Sequence, residues 1–241
     1  MRIGVVCEGP SDFPAITIFL EKALRDKGIA PVFLPLYPEM DKTRPEGGWA
    51  NVLLWLQNNP PENRIQRFFG GGLFAGALSY EPLSAIIMHL DADVIDVGSF
   101  RNFVRNNYNL EVFDTDDHVK RSEQIHNVLE LAAKFESMTH SDVLKHVTLP
   151  AVEASEAWCV AAFHGQTENY ELLRGQQLID AFMSVLERSE GREPKLSYVN
   201  VDKSPERRSR FCERHASGFT RILNGCSQFS KTVTKLAAIA P

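Results

Sequence analysis

Val5-Val6-Cys7-Glu8-Gly9-Pro10-Ser11-Asp12 and Ile86-Ile87-Met88-His89-Leu90-Asp91-Ala92-Asp93 are the two stretches whose reading decides the fold. Each is a short apolar run that passes directly into carboxylates. An apolar run of this length bounded by turn residues reads as a buried strand. Two such strands side by side in a parallel sheet bring Glu8, Asp12, Asp91 and Asp93 to one carboxyl edge, where open α/β sheets place their ligands. Clustered carboxylates repel one another unless a hard cation sits among them, so the pattern points to a Mg²⁺ site.

The flanking sequence has the same rhythm. Residues 2–7 read as a strand. Phe13, Ile16, Leu20 and Ala23/Leu24 then give one apolar helical face over 12–27, with Ser11 or Asp12 as N-cap and Gly28 as the stop. Residues 31–37 read as a second strand, and Pro35 makes it an edge strand or a bent one. A short helix covers 49–58 and stops at Asn59-Pro60-Pro61. Phe68-Phe69-Gly70-Gly71-Gly72 has no following Lys-Ser/Thr, so it reads as a turn rather than a phosphate loop. The third strand is 84–90. Helices follow over 99–108 and 117–136, with Asp114, Asp116 and Asp117 as caps and dipole partners of the second. Residues 145–152 read as a fourth strand. A helix opens at Glu153-Ala154-Ser155-Glu156-Ala157-Trp158, which puts Glu153 and Glu156 on one helical face. Residues 175–238 are helix-rich, with an irregular stretch at 188–204. The expected fold is α/β: a mostly parallel, Rossmann-like sheet flanked by helices over 1–165, with a helical C-terminal extension over 166–241 packed on the same domain.

Composition narrows the function classes. The chain has 241 residues and is 44% hydrophobic, enough for a proper core. No apolar run has the length of a membrane span. The N-terminus runs from one arginine through five apolar or glycine residues to Glu8 and is no signal peptide, so the expected location is the cytoplasm. Cys7, Cys159, Cys212 and Cys226 lie far apart and read as reduced thiols rather than as a zinc or disulfide framework. The net charge of −5 argues against an obvious nucleic-acid binder. It is unevenly spread, however: residues 188–235 carry about +6 and the rest about −11. A basic C-terminal face beside an acidic cluster is one form of phosphate-backbone footprint, and a solvated helix surface is the other reading.

Five features stand in order along the chain: Glu8-Gly9-Pro10-Ser11-Asp12, Asp91-Ala92-Asp93, Glu156-Ala157-Trp158, Pro194-Lys195 and Asp202-Lys203. This constellation resembles the TOPRIM domain of topoisomerases, primases and the overcoming-lysogenisation-defect nucleases. It is most similar to a set of uncharacterised bacterial TOPRIM-like proteins. The resemblance implies that Asp91 and Asp93 hold a first cation, that Glu8 is a ligand or general acid/base, and that Asp12 and Glu156 contribute to a second cation. It further implies that Lys203 neutralises charge on the reacting phosphate. Glu153 has no clear counterpart. Pro10 departs from a phosphate-binding loop, since it has no N–H to offer. The implied cofactor is Mg²⁺ or Mn²⁺, as two ions. The implied activity is phosphodiester hydrolysis, on DNA ahead of RNA, in phage defence and with a partner ATPase.

The chemistry is coherent without the resemblance. Two cations roughly 4 Å apart activate a water and neutralise the transition state, and carboxylates must hold them. Lys195, Arg207, Arg208 and Arg210 are the candidate nucleic-acid contacts, and the arginine run also reads as a solvated face. His89 reads first as a satisfied buried histidine, Trp158 as a core residue, and His215 as a phosphate contact or a surface side chain. Two other functions stay open: a TOPRIM-like module that binds nucleic acid or a partner without cutting, and a nucleotide-sugar transferase with a metal-binding Asp-x-Asp. The second does not need Glu8 and Asp12.

Overall fold

The computed structural model describes residues 1–38, 48–70, 81–164 and 169–240. Its sheet has four parallel strands, β1 (Arg2–Val6), β2 (Val32–Tyr37), β3 (Ala85–Asp91) and β4 (His146–Ala151), in the order β2-β1-β3-β4. The helices are α1 (Asp12–Asp26), α2 (Trp49–Asn58), α3 (Pro61–Arg64), α4 (Gly98–Tyr108), α5 (His118–Ala132), α6 (His140–Leu144), α7 (Glu156–Phe163), α8 (Gly175–Ser189), α9 (Pro205–Arg214), α10 (Phe219–Gly225) and α11 (Ser227–Ile239). The arrangement is Rossmann-like, with a helical C-terminal part, as the strand–helix rhythm predicts.

The chain leaves β1 towards β2 on one side and returns to β3 on the other. The order therefore reverses between β1 and β3, and a crevice opens at their carboxyl ends. The two quoted stretches end at this point.

Side chains along the inner strands alternate between two cores. Ala85 and Ile87 face one side with Ile3, Val5, Val147 and Leu149, beneath α1, α7 and the C-terminal helices. Ile86, Met88 and Leu90 face the other with Val6, beneath α2, α4 and α5. Strands buried on both faces explain why β1 and β3 read as continuous apolar runs rather than alternating ones. Pro35 sits in edge strand β2, where its missing N–H costs no ladder bond in the sheet interior. The register slips beside it, with Val5 opposite Pro35 and Val6 opposite Tyr37.

Some local expectations change. Residues Ile65–Phe69 form a π-helical turn, and the glycines at 71 and 72 lie outside the described residues. The helix expected over 117–136 ends at Ala132, and a separate 3-10 turn follows at Phe135–Ser137. Gly28 closes α1 with φ of 79°, a conformation glycine adopts without strain. No helix among the described residues is long and apolar enough to cross a membrane.

The C-terminal helices are bound closely to α7. Gly218, in the turn before α10, abuts the backbone of Ala162, and a Cβ there would lie 2.2 Å from the Ala162 carbonyl oxygen. The neighbour is backbone and cannot rotate away. Gly218→Ala should therefore destabilise the protein by about 1–3 kcal/mol. Gly225→Ala, whose Cβ would meet nothing within 4 Å, should stay within about 1 kcal/mol of wild type. Urea unfolding of the two variants measures this; equal midpoints would contradict the packing.

Candidate functional site

Glu8 and Gly9 follow β1, and Asp91 is the last residue of β3. Because β1 and β3 are hydrogen-bonded neighbours, Glu8 faces Asp91 across the crevice. The Asp91 N–H donates to Glu8 Oε1 at 2.8 Å. Asp12 stands at the first position of α1, where its Oδ2 accepts from the Gly9 N–H at 3.0 Å. This bond occupies the first N–H of the Glu-Gly-Pro loop, and Pro10 has none, so the loop is built to orient acids rather than to bind phosphate. Ser11 occupies the N-cap position without a side-chain capping bond.

Ser155, just before α7, ties the acids together. Its N–H donates to Asp91 Oδ1 at 3.0 Å, and its hydroxyl donates to Asp12 Oδ1 at 2.9 Å. Asp93 lies two residues beyond the strand end, where its N–H donates to the Glu153 carbonyl at 3.0 Å. Glu8, Asp12, Asp91 and Asp93 are thus brought to one edge. Glu156 joins them from the first turn of α7 through the cations it shares with them.

Arg208 is the cation at the centre. It is 1% exposed. Its Nη1 donates to Asp12 Oδ1 at 2.9 Å, to the Ser11 carbonyl at 3.1 Å and to Ser155 Oγ at 3.1 Å, while Nη2 pairs with Glu156 Oε1. The three arginines of the run therefore do not form a common basic face. Arg208 is buried among acids, Arg207 is engaged by Asp202, Glu187 and Glu190, and Arg210 alone is exposed. Lys195 is exposed in the irregular stretch, where its backbone N–H donates to Tyr198 Oη at 2.8 Å. Lys203 reaches the cluster as expected: its Nζ lies 3.7 Å from Glu156 Oε1, on a side chain that remains 69% exposed.

Glu153 and Glu156 do not share a helical face. Helix α7 starts at Glu156, and Glu153 lies in the bend after β4. Its buried carboxylate turns away to Arg121 Nη2 at 3.1 Å and Arg174 Nε at 3.5 Å. Asp114 and Asp116 belong to this second network through Arg121 and Arg174, and only Asp117 caps α5, accepting from the N–H groups of Val119 and Lys120. His215 lies 2.9 Å from Ser189 Oγ through Nε2. All four cysteines are free and buried.

His89 is fully buried, as a satisfied core histidine should be, and it also serves the site. Its Nδ1 lies 2.8 Å from the Leu149 carbonyl, which can only accept, and Nε2 lies 3.1 Å from Asp91 Oδ1. Burial alone would lower its pKa; the hydrogen bond and charge of Asp91 outweigh this and raise it. The same pairing works on Asp91. Burial would push its carboxyl up, but His89, Lys203 and Arg208 bring it below the usual carboxylate value.

Glu8 has no such cation, and Asp93 has only the partial offset of Lys203. Burial, then the charges of Asp91 and Asp12, push Glu8 well above the carboxylate range. Loss of water around the carboxyl, then Asp91, Glu153 and Glu156, push Asp93 up to about 8, although the residue stays open to solvent at the mouth of the crevice. Burial and Asp91 raise Asp12 as well, against Arg208.

Oxygen-only donors of this kind suit a hard divalent cation. Yet among the described residues no group of three or more His, Cys, Asp or Glu side chains is set to hold a metal ion. The physical reason is that Glu8 Oε1, Asp91 Oδ1 and both Asp12 oxygens are spent on protein donors, and Arg208 engages Glu156. The oxygen donors suit a hard cation by their chemistry and charge, but among the described residues they are not gathered into a metal-holding group.

Comparison of the chain with protein-family models, with curated proteins and with solved structures returns no match. The site therefore stands on its own geometry. Two of its members are not among the sequence candidates in these roles. Arg208 had a readable signal: Arg208, Phe211 and Cys212 are spaced i, i+3, i+4, which puts the arginine on the buried face of α9. Ser155 had none, since a serine before a helix reads only as a cap.

Two outcomes follow. Arg208→Met strands Asp12 and Glu156 as buried unpaired acids and should destabilise the protein by about 3–5 kcal/mol. Asp12→Asn and Glu156→Gln added to it should restore most of that loss in denaturant titrations. The second outcome concerns pH. A carboxyl raised in the folded state contributes stability that is intact below its unfolded pKa and is lost as pH rises through the folded value. Without divalent cations, the melting temperature should fall from about pH 5 to pH 8, the window set by Asp93. Asp93→Asn should flatten that slope and melt higher than wild type at pH 8; an unchanged slope would remove Asp93 from the crowded cluster.

Proposed function

We propose that the protein is a Mg²⁺- or Mn²⁺-dependent nuclease of the TOPRIM type. The observation that carries this reading is the meeting of Glu8, Asp12 and Asp91 in one hydrogen-bonded network at the β1/β3 crevice, with Asp93 beside them and Lys203 reaching in from the C-terminal region. The phage-defence setting, the partner ATPase and the preference for DNA come from the resemblance and form part of the same proposal. Bound cations would activate a water and neutralise the phosphate.

The chain's own residues have distinct tasks. Glu8, whose carboxyl is pushed up by burial and by the charges of Asp91 and Asp12, is placed to give a proton to a leaving oxygen or take one from water. His89 and Ser155 hold Asp91 in one orientation. Lys203 is the mobile cation that can leave Glu156 and follow the charge growing on a phosphate. Arg208 is too deeply buried to touch substrate and acts as a positioning residue for Asp12 and Glu156.

A second reading has one observation in its favour. Arg208 already offsets two of the five acids, which suits a module that binds nucleic acid through one weakly held cation without cutting. Purified protein incubated with plasmid, linear DNA and RNA in Mg²⁺ or Mn²⁺ separates the two. Cleavage should appear, disappear in EDTA, and fall by about 100-fold or more in Asp91→Asn and in Lys203→Ala. Divalent cation at a hundredfold excess over Kd should stabilise wild type by about 2.7 kcal/mol, and Asp91→Ala/Asp93→Ala not at all. Cation-induced stabilisation with no cleavage of any substrate would leave only the binding module.

A further inference from the structure

A cleft of about 530 Å³ lies between the first turns of α5 and α11, the end of α10 and the turn at Tyr170–Leu172. Its size falls within the range of small-ligand sites, about 300–1,000 Å³. Val119, Val152, Leu172 and Leu223 supply apolar wall. The polar lining divides into groups that are spent and groups that are free. Gln228 donates to Ser122 Oγ at 3.0 Å and faces His126 Nε2 at 3.1 Å, so it is committed inside the protein. Ser227 donates both its N–H and its hydroxyl to Glu171 Oε2, at 2.8 and 3.1 Å.

Glu171 is only 4% exposed, and its other oxygen, Oε1, is buried without a partner. A buried carboxylate oxygen with no donor is costly, and its presence in a native cleft calls for one. His118 Nδ1, also on the lining, is buried and unpartnered as well. Lys231 and Asn224 stand exposed at the rim and offer donors. The cleft thus combines aliphatic lining, one deep acceptor without a donor, and an ammonium at the mouth.

We propose that this cleft binds a nucleobase, with an exocyclic amino group on Glu171 Oε1 and the attached phosphate near Lys231. The placement deepens the nuclease reading and rests on it for the strand's destination. Val152 lines the cleft, and Ser155, which holds Asp91 and Asp12, is three residues on, at most about 10 Å along an extended chain. The wall of the cleft at Val152 is therefore close to the residue that holds the acid cluster. This favours an unpaired base as the feature read next to the scissile bond, since a base inside a duplex cannot enter a side pocket without leaving its stack.

The test is calorimetric titration of the full chain, in EDTA, with AMP, CMP, GMP and UMP. The three amino-bearing nucleotides should bind, and UMP, which has no exocyclic amino group, should bind roughly tenfold more weakly, the loss of one charge-assisted hydrogen bond. Lys231→Ala, at an exposed position that leaves the fold intact, should weaken all four. Glu171→Gln, which keeps an acceptor for Ser227, should abolish the discrimination against UMP. No binding by any nucleotide, or equal binding by wild type and both variants, overturns the proposal; so does tighter binding of free amino acids in competition. Cleavage is read separately. Protein that binds mononucleotides but cuts nothing keeps the cleft and loses the nuclease reading, whereas protein that cuts but binds none loses the cleft.

Discussion

One buried guanidinium organises this molecule. Arg208 joins Asp12 at the start of α1 to Glu156 at the start of α7, and it comes from α9, 196 residues beyond Asp12. Its flat face also lies over the Phe182 ring of α8, 4.9 Å from the centroid. A buried ion pair is weak evidence for net stability, because desolvating the charges offsets most of their attraction. What it supplies is a condition. The two acids are tolerable inside the protein only if α9 is in place, so the acid edge of the sheet and the packing of the C-terminal helices form together. The apolar cluster beneath obeys the same geometry, since Trp158, Phe182, Phe211 and Phe229 all belong to it.

Much of the sheet was legible because parallel strands buried on both faces leave an unmistakable apolar run. Val5-Val6-Cys7 and Ile86-Ile87-Met88 could be little else, and the Pro35 edge followed from a missing N–H. The acids at the strand ends were legible for the same reason: a carboxylate placed directly after such a run must emerge at the carboxyl edge. What could not be read was direction. Nothing in Glu153-Ala154-Ser155-Glu156 says that the helix waits until Glu156, so that Glu153 swings to Arg121 and Arg174 while Glu156 faces Arg208. Charge runs are equally silent about depth. Arg207, Arg208 and Arg210 look alike in sequence, yet tertiary packing buries one, pairs the second with acids and leaves the third in water. The depth of Arg208 was recoverable only from the apolar partners it shares a face with.

The ion pairs sort the acids into two kinds. Asp12 and Glu156 are answered by Arg208, and Glu153 by Arg121 and Arg174. Asp91 is answered by His89 and by the Ser155 N–H. Glu8 is left with neighbours of its own sign, and Asp93 with acids that Lys203 offsets only in part; burial first, then these charges, raises both. The cluster therefore carries its unbalanced charge at the mouth of the crevice, where Asp93 is open to solvent, and keeps its balanced charge below. On the proposed metal-dependent reading, a cation arriving from water would meet the exposed Asp93 first. Taking Asp12 or Glu156 would require it to compete with a guanidinium.

Lys203 and Arg208 complete this division, because both approach the same oxygen, Glu156 Oε1, from different depths. Arg208 cannot leave: its other partners are a backbone carbonyl, a serine hydroxyl and Asp12, all within the protein. Lys203 can leave, since it lies at 3.7 Å on a largely exposed side chain in an irregular segment. When it does, Glu156 keeps its guanidinium and is not stranded. The fixed cation thus keeps Glu156 paired whether or not Lys203 stays, which makes Lys203 dispensable to the fold and, on the proposed reading, would let it follow an anion entering the crevice.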